Sequence, residues 1–87
     1  MNIETVWNNI KLYEGEIFYK IKGGEYKYTV YNDFIIINGV KASRITKSTF
    51  AKAIEIENPT PQKIGLAGCW GPSYIYGIIT DKRIKTV

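Results

Sequence analysis

Between Lys41 and Thr49 the chain reads Lys-Ala-Ser-Arg-Ile-Thr-Lys-Ser-Thr. Lys41, Arg44 and Lys47 bring positive charge, and Ser43, Thr46, Ser48 and Thr49 bring hydroxyls. The corner falls where a strand is expected to run into a helix start. Free backbone N–H groups and the helix dipole favour an anion there. Ser and Thr hydroxyls with Arg and Lys are common phosphate donors in nucleic-acid interfaces. The simpler account is an ordinary helix cap, Thr46 or Ser48, beside a solvated charged turn.

A second group is set by alternation. If residues 16–45 form an antiparallel meander, one face carries Phe18, Lys20, Lys22, Lys27, Tyr31, Phe34, Ile36 and Lys41. Lysines flanking aromatic rings on an open sheet suit single-stranded nucleic acid, because rings stack on bases and amines meet phosphates. The same face offers another chemistry: Phe18, Tyr31, Phe34 and Ile36 would make an apolar patch for a protein partner or a second copy of the chain. A third helix lying over Phe34 and Ile36 would remove both possibilities. A third group, Trp70 through Tyr76, is an aromatic segment that suits a packing plug better than a binding loop.

Reaction chemistry has little to work with. The chain has no histidine, so the commonest general base and metal ligand is missing. Cys69 is the sole cysteine; it has no histidine to activate it and forms no disulfide within the chain. The acids Glu4, Glu14, Glu16, Glu25, Asp33, Glu55, Glu57 and Asp81 are scattered, with no clear acid/base pair or hard-metal cluster. Gly23-Gly24 lacks any phosphate-loop or dinucleotide pattern. The expectation is a non-enzymatic chain with no cofactor and no metal.

The elements that would position these groups follow from periodicity. Ile3, Val6, Trp7, Ile10 and Tyr13 recur at helical spacing behind Asn2, a good N-cap, and ahead of Gly15. A helix is expected over about residues 3–14. Three turn signals then divide the meander: Gly23-Gly24, Asn32-Asp33 and Asn38-Gly39. Taken as two-residue turns, they pair Ile21 with Tyr26, Tyr19 with Tyr28 and Ile17 with Val30. Ile35, Ile37, Val40 and Ala42 join that core face. A second helix is expected over about residues 47–57, stopped by Asn58-Pro59-Thr60-Pro61. Residues 62–71 read as a loop. Pro72 followed by Tyr74, Ile75, Ile78 and Ile79 favours a helix over a strand at residues 72–80. Residues 83–87 would add a short last strand.

The architecture expected is therefore α+β, in a single domain of 87 residues: an N-terminal helix, a four-stranded antiparallel meander, a second helix packed on one face of the sheet, and a Pro-initiated C-terminal segment that partly covers the other face. No run approaches a membrane span. Met1-Asn2-Ile3-Glu4 lacks the basic start of a signal peptide, and one cysteine suits a reducing compartment, so a cytoplasmic location with no membrane partner is expected. The net charge of +4 is uneven. Residues 1–33 carry four lysines against five acids, whereas residues 34–57 and 58–87 each carry four basic residues against two acids and one.

The stretches Ile45-Thr46-Lys47-Ser48-Thr49-Phe50 and Gly71-Pro72-Ser73-Tyr74-Ile75-Tyr76, followed by Asp81-Lys82-Arg83-Ile84, resemble a family of small uncharacterised bacterial proteins. An N-terminal helix bearing Trp and a following hairpin also recur in that family, so the resemblance spans most of the chain. It implies a shared fold and carries no activity or site residue. Gly77 stands where that family tends to have a small non-glycine residue.

Two functions are ranked on this basis. The first is nucleic-acid contact, to DNA or RNA, mainly through phosphates, by Lys41, Arg44, Lys47 and Ser48 with Lys20, Lys27 and Tyr31 extending the surface. The second is a protein-interaction or homo-oligomerising module using Phe18, Tyr31, Phe34 and Ile36.

Overall fold

A computed structural model describes residues 1–85 of the chain. The fold is α+β, in the order α1 (Ile3–Leu12), β1 (Phe18–Tyr19), β2 (Glu25–Tyr26), β3 (Tyr28–Val30), β4 (Phe34–Ile37), β5 (Arg44–Thr46), α2 (Lys47–Ala53), α3 (Pro61–Leu66) and α4 (Pro72–Ile79). No helix among the described residues is long and apolar enough to cross a membrane.

Helix α1 starts as its sequence dictates. The Asn2 side chain accepts the N–H groups of Glu4 and Thr5, covering two of the donors that a helix start leaves open. Val6, Trp7 and Ile10 form its buried stripe. Its last turn leaves the Ile10 carbonyl without a helical partner, since Tyr13 N–H bonds Asn9 and Glu14 N–H bonds Lys11. The buried Tyr28 hydroxyl donates to that carbonyl at 2.6 Å, which ties α1 to β3.

The expected single meander is split into two sheets, β1–β2 and β3–β4–β5. The Asn32-Asp33 hairpin has the register expected: Tyr28 faces Ile37, Thr29 faces Ile36 and Val30 faces Ile35. Ile35 and Ile37 are buried on the core side. The other two hairpins differ. Tyr26 faces Phe18 instead of Ile21, a shift of three residues, because the loop runs over Lys20–Gly24 and is not the Gly pair alone. Lys20 N–H bonds Gly24 and Gly23 N–H bonds Lys20, closing that loop. An odd shift turns every side chain of the strand over. Phe18 is therefore 0% exposed in the core, while Ile17, Tyr19 and Ile21 face outward.

The third hairpin shifts in the same sense. The turn at Asn38-Gly39 forms, with Val40 N–H bonding Ile37, but pairing resumes only at Arg44, opposite Ile36. Ile45 takes the core position expected for Val40 and Ala42. Ser43 bridges the gap: its hydroxyl accepts from Ile37 N–H at 2.9 Å and donates to Ile37 C=O at 3.1 Å. That hydroxyl stands in for a ladder partner and explains a fully buried serine.

The second helix is shorter than expected, ending at Ala53, with Thr46 as the cap that accepts Thr49 N–H. The expected loop at 62–71 contains α3, started by the Thr60 cap and Pro61. That Thr-Pro pair signals a helix start as well as the end of the preceding one. Within segment 72–80 the chain is helical over Pro72–Ile79, as its Pro72 start implies. No strand forms over 83–85, and Thr86 and Val87 lie outside the described residues.

Helix α4 does not cover the outer face of the β3–β4–β5 sheet. It lies on the core side, where Gly71 approaches Ile45 and where Ile75, Ile78 and Ile79 are buried. Gly77 meets the β1–β2 hairpin, and a Cβ there would overlap the Tyr19 carbonyl and the Tyr26 hydroxyl. That hydroxyl donates to the Tyr74 carbonyl at 2.6 Å. Arg83 closes the far side of the same hairpin. Its guanidinium pairs with Asp81 at 2.9 Å, donates to the Ile17 carbonyl at 2.8 Å and sits 4.1 Å from the Phe18 ring centroid. The Arg83 hydrogen bonds hold the Asp81 carboxyl below its ordinary range. This contribution is present above the ordinary aspartate pKa and fades as pH falls below it.

Two outcomes are expected. Gly77→Ala destabilises the fold by more than about 3 kcal/mol, because the obstructing atoms include rigid backbone; urea denaturation measures it. Burial raises the pKa of both Tyr26 and Tyr28 above the ordinary value of 10.0. Both are acids that stay neutral longer in the native state, so stability is intact below pH 10 and declines above it as the unfolded chain releases protons. Urea midpoints across the alkaline range test this. A Tyr28→Phe variant should be less stable at neutral pH and lose less on going alkaline.

Candidate nucleic-acid interface

The β3–β4–β5 sheet turns Ile35, Ile37 and Ile45 inward, so strict alternation assigns Thr29, Tyr31, Phe34, Ile36, Arg44 and Thr46 to the outer face. Lys27 shares that parity, and its carbonyl accepts Asn38 N–H, so β3–β4 pairing runs one step past Tyr28.

β4 is the central strand, and Phe34 has a neighbour from each side. The Tyr31 ring, from the β3 side, stacks on Phe34 with centroids 5.1 Å apart and planes 16° apart. The Arg44 guanidinium, from β5, lies 4.0 Å from the Phe34 centroid. The tight turn brings Tyr31 and Phe34 together, since Tyr31 N–H bonds Phe34 C=O at 2.8 Å. The three-residue offset of β5 brings Arg44 to the row; the expected register would have put Lys41 opposite Ile36. The result is a layered row, cation–ring–ring, with Tyr31 still 50% exposed. A cation over a ring face is worth about 0.5–1 kcal/mol at an exposed site, which favours this placement of Arg44 on Phe34.

The seven residues named from the sequence do not form one surface. Tyr31, Arg44 and Lys27 share the outer face, and Lys41 is exposed on the loop leading into β5. Lys47 and Ser48 are engaged within the fold. Lys47 Nζ bonds both Glu4 carboxylate oxygens at 3.0 Å, and Ser48 Oγ lies 3.0 Å from the Thr46 hydroxyl. The basic corner thus works largely as a cap and a surface ion pair. Lys20 belongs elsewhere, over Tyr74. Of the four residues of the apolar alternative, Phe18 is withdrawn into the core, because the first hairpin is shifted by an odd number of residues. Tyr31, Phe34 and Ile36 stay on the outer face, flanked by Arg44 on the β5 side.

Beside Tyr31 and Phe34 an open groove is lined by Lys11, Glu14, Asn32 and Asp33. Glu14 is partly committed, since its carboxylate accepts Val30 N–H at 2.6 Å. Among the described residues no group of three or more His, Cys, Asp or Glu could hold a metal ion. Cys69 is buried.

No family model, curated protein or solved structure matches the chain.

The Lys47–Glu4 pair joins α2 to α1 across the surface, with the Glu4 side chain 71% exposed. Exposed pairs of this kind contribute about 0.2–1 kcal/mol. A double-mutant cycle with Glu4→Ala and Lys47→Ala should return a coupling energy within that range, falling as salt is added.

Proposed function

We propose that this chain is a non-enzymatic binding module that contacts single-stranded nucleic acid across the outer face of its three-stranded sheet. The observation carrying this reading is the Arg44–Phe34–Tyr31 row. Tyr31 offers a half-exposed ring, stiffened from behind by Phe34, on which an unpaired base can stack. Arg44 brings guanidinium donors suited to phosphate oxygens. Lys41 and Lys27 lie exposed at the margins of the face and suit phosphate contacts along a strand. The rigid rods of duplex DNA or RNA would keep bases stacked and away from Tyr31, so a single strand is favoured. The lack of histidine and the burial of Cys69 support a binding role over a catalytic one.

The same face offers less to a protein partner. Its apolar area has lost Phe18 and carries the Arg44 guanidinium against Phe34, whereas a protein interface core is depleted in charge.

Fluorescence anisotropy of a labelled single-stranded oligonucleotide, at several salt concentrations, tests the proposal. Affinity should fall linearly in log salt, with a slope of about −0.7 for each phosphate neutralised. Lys41→Glu with Arg44→Glu should abolish binding while lowering the thermal melt by only a few degrees, from the lost Arg44–Phe34 contact. Lys47 is left out of that variant because reversing it would set two carboxylates together at Glu4 and lower the melt for an unrelated reason. Unaltered binding by the double variant overturns the sheet face as the site, and a mass that rises with concentration in light scattering would favour self-association.

A further inference from the structure

A second aromatic and cationic cluster lies away from the sheet face, at the junction of the β1–β2 loop with α4. Trp70 stacks on Tyr74, with centroids 6.2 Å apart and planes 14° apart. Tyr74 in turn is backed edge-on by the buried Tyr26 ring at 5.0 Å and 81°, and by the Tyr26 hydroxyl on its carbonyl. Lys20 Nζ lies 5.4 Å from the Tyr74 centroid. Gly24 lets the lysine lie down there, because a Cβ on Gly24 would stand 2.7 Å from Lys20 Cε. The construction matches the sheet face: an exposed terminal ring, a second ring stiffening it, and a cation on that second ring.

Trp70 is 46% exposed although the chain has a core that buries its other tryptophan, Trp7, to 3%. Tryptophan exposes a large apolar area, so leaving it in water is costly unless something covers it. The adjoining groove, lined by Lys20, Ile21, Lys22, Pro61, Gln62 and Ser73, holds two positive charges and no carboxylate among the described residues. The groove beside Tyr31, by contrast, mixes Lys11 with Glu14 and Asp33. The stacked rings offer a flat face and the groove that shares Lys20 with them offers positive charge, so an occupant with flat faces and negative charge complements the two together.

We infer that Trp70 and Tyr74, with Lys20 and Lys22, form a second stacking platform for single-stranded nucleic acid, one that takes a base on Trp70 and phosphates on the two lysines. This rests on the nucleic-acid reading of the sheet face and extends it to a second, separately built subsite. A strand long enough to reach both would bind more tightly than two short pieces, through the raised effective concentration of its second contact.

The chain carries its own reporter. Trp7 is shielded in the core, so a ligand-induced change in tryptophan emission reads Trp70. The probes are thymidine oligonucleotides of about 5 and about 20 nucleotides, the scale of one and of several stacking sites. The short probe should quench Trp70 emission in the native chain, and equally in a Tyr31→Ala/Arg44→Glu variant. The long probe should bind about tenfold more weakly to Trp70→Ala, in line with the loss of one base stack, and should also bind more weakly to Lys22→Glu, with a shallower salt slope from the lost phosphate contact. Lys22 is exposed, so its reversal leaves the fold intact and guards against a Trp70→Ala variant that folds poorly. If the long probe binds, as read by anisotropy, while Trp70 emission and the Lys22→Glu affinity stay unchanged, the second platform is overturned and the sheet-face site stands. If Trp70 is quenched and the Tyr31/Arg44 variant binds as tightly as the native chain, the sheet face falls and this platform stands. Absence of binding by either probe at low salt overturns both.

Discussion

Helix α4 approaches the β1–β2 hairpin so closely that only hydrogen fits at position 77, where the Tyr19 carbonyl and the Tyr26 hydroxyl meet the helix. Much of the molecule is arranged by that contact. It holds Tyr26 against the Tyr74 carbonyl, keeps the two-residue strands β1 and β2 together, and turns Phe18 inward. Strands that short have few ladder bonds of their own and need support from packing. Arg83 supplies it from the other side. Its guanidinium lies on the Phe18 ring and holds the Ile17 carbonyl, while Asp81 fixes its orientation. The hairpin is thus gripped between a helix and an arginine.

Both aromatic clusters derive from this framework, by different routes. The Arg44–Phe34–Tyr31 row is a product of sheet geometry: a tight turn joins the two rings, and a longer loop delivers Arg44. That loop is stabilised by the Ser43 hydroxyl on Ile37, so a small buried side chain sets the register that places the cation. The Trp70–Tyr74–Lys20 cluster is a product of helix-on-hairpin packing, with Gly24 giving Lys20 room to lie toward Tyr74. In each case the two rings and the cation hold one another in place within the folded chain.

The charges behave differently from the rings. Lys47 is matched by Glu4 and Arg83 by Asp81, so part of the basic excess in the second half of the chain is spent on holding helices and hairpins. Lys41 and Lys22 are exposed on loops, so under the proposed function charge reversal at these positions would separate binding from folding.

Where a residue's conformation depends on its immediate neighbours, the sequence alone determined the outcome. Asn2 caps α1, Thr46 caps α2, Pro72 opens α4, and Asn32-Asp33 turns the chain with the register that alternation demands. Tyr31 and Phe34 were legible as companions on one outer face for the same reason: two residues separate them, and a tight turn has few conformations. Glycine pairs gave less, because Gly23-Gly24 tolerates several loop lengths, and nothing local distinguishes a two-residue turn from one spanning Lys20–Gly24. Packing made that choice, since Phe18 fills the core under Arg83 and Ile21 does not. An odd shift then exchanged the faces of the first strand, sending Phe18 inward and Lys20 toward Tyr74. Tertiary structure alone also decided that Lys47 meets Glu4 and that Arg44 meets Phe34. Glu4 and Lys47 are far apart in the chain and meet only when α1 and α2 are packed, and Arg44 reaches Phe34 only through the β4–β5 register, which the buried Ser43 helps to set.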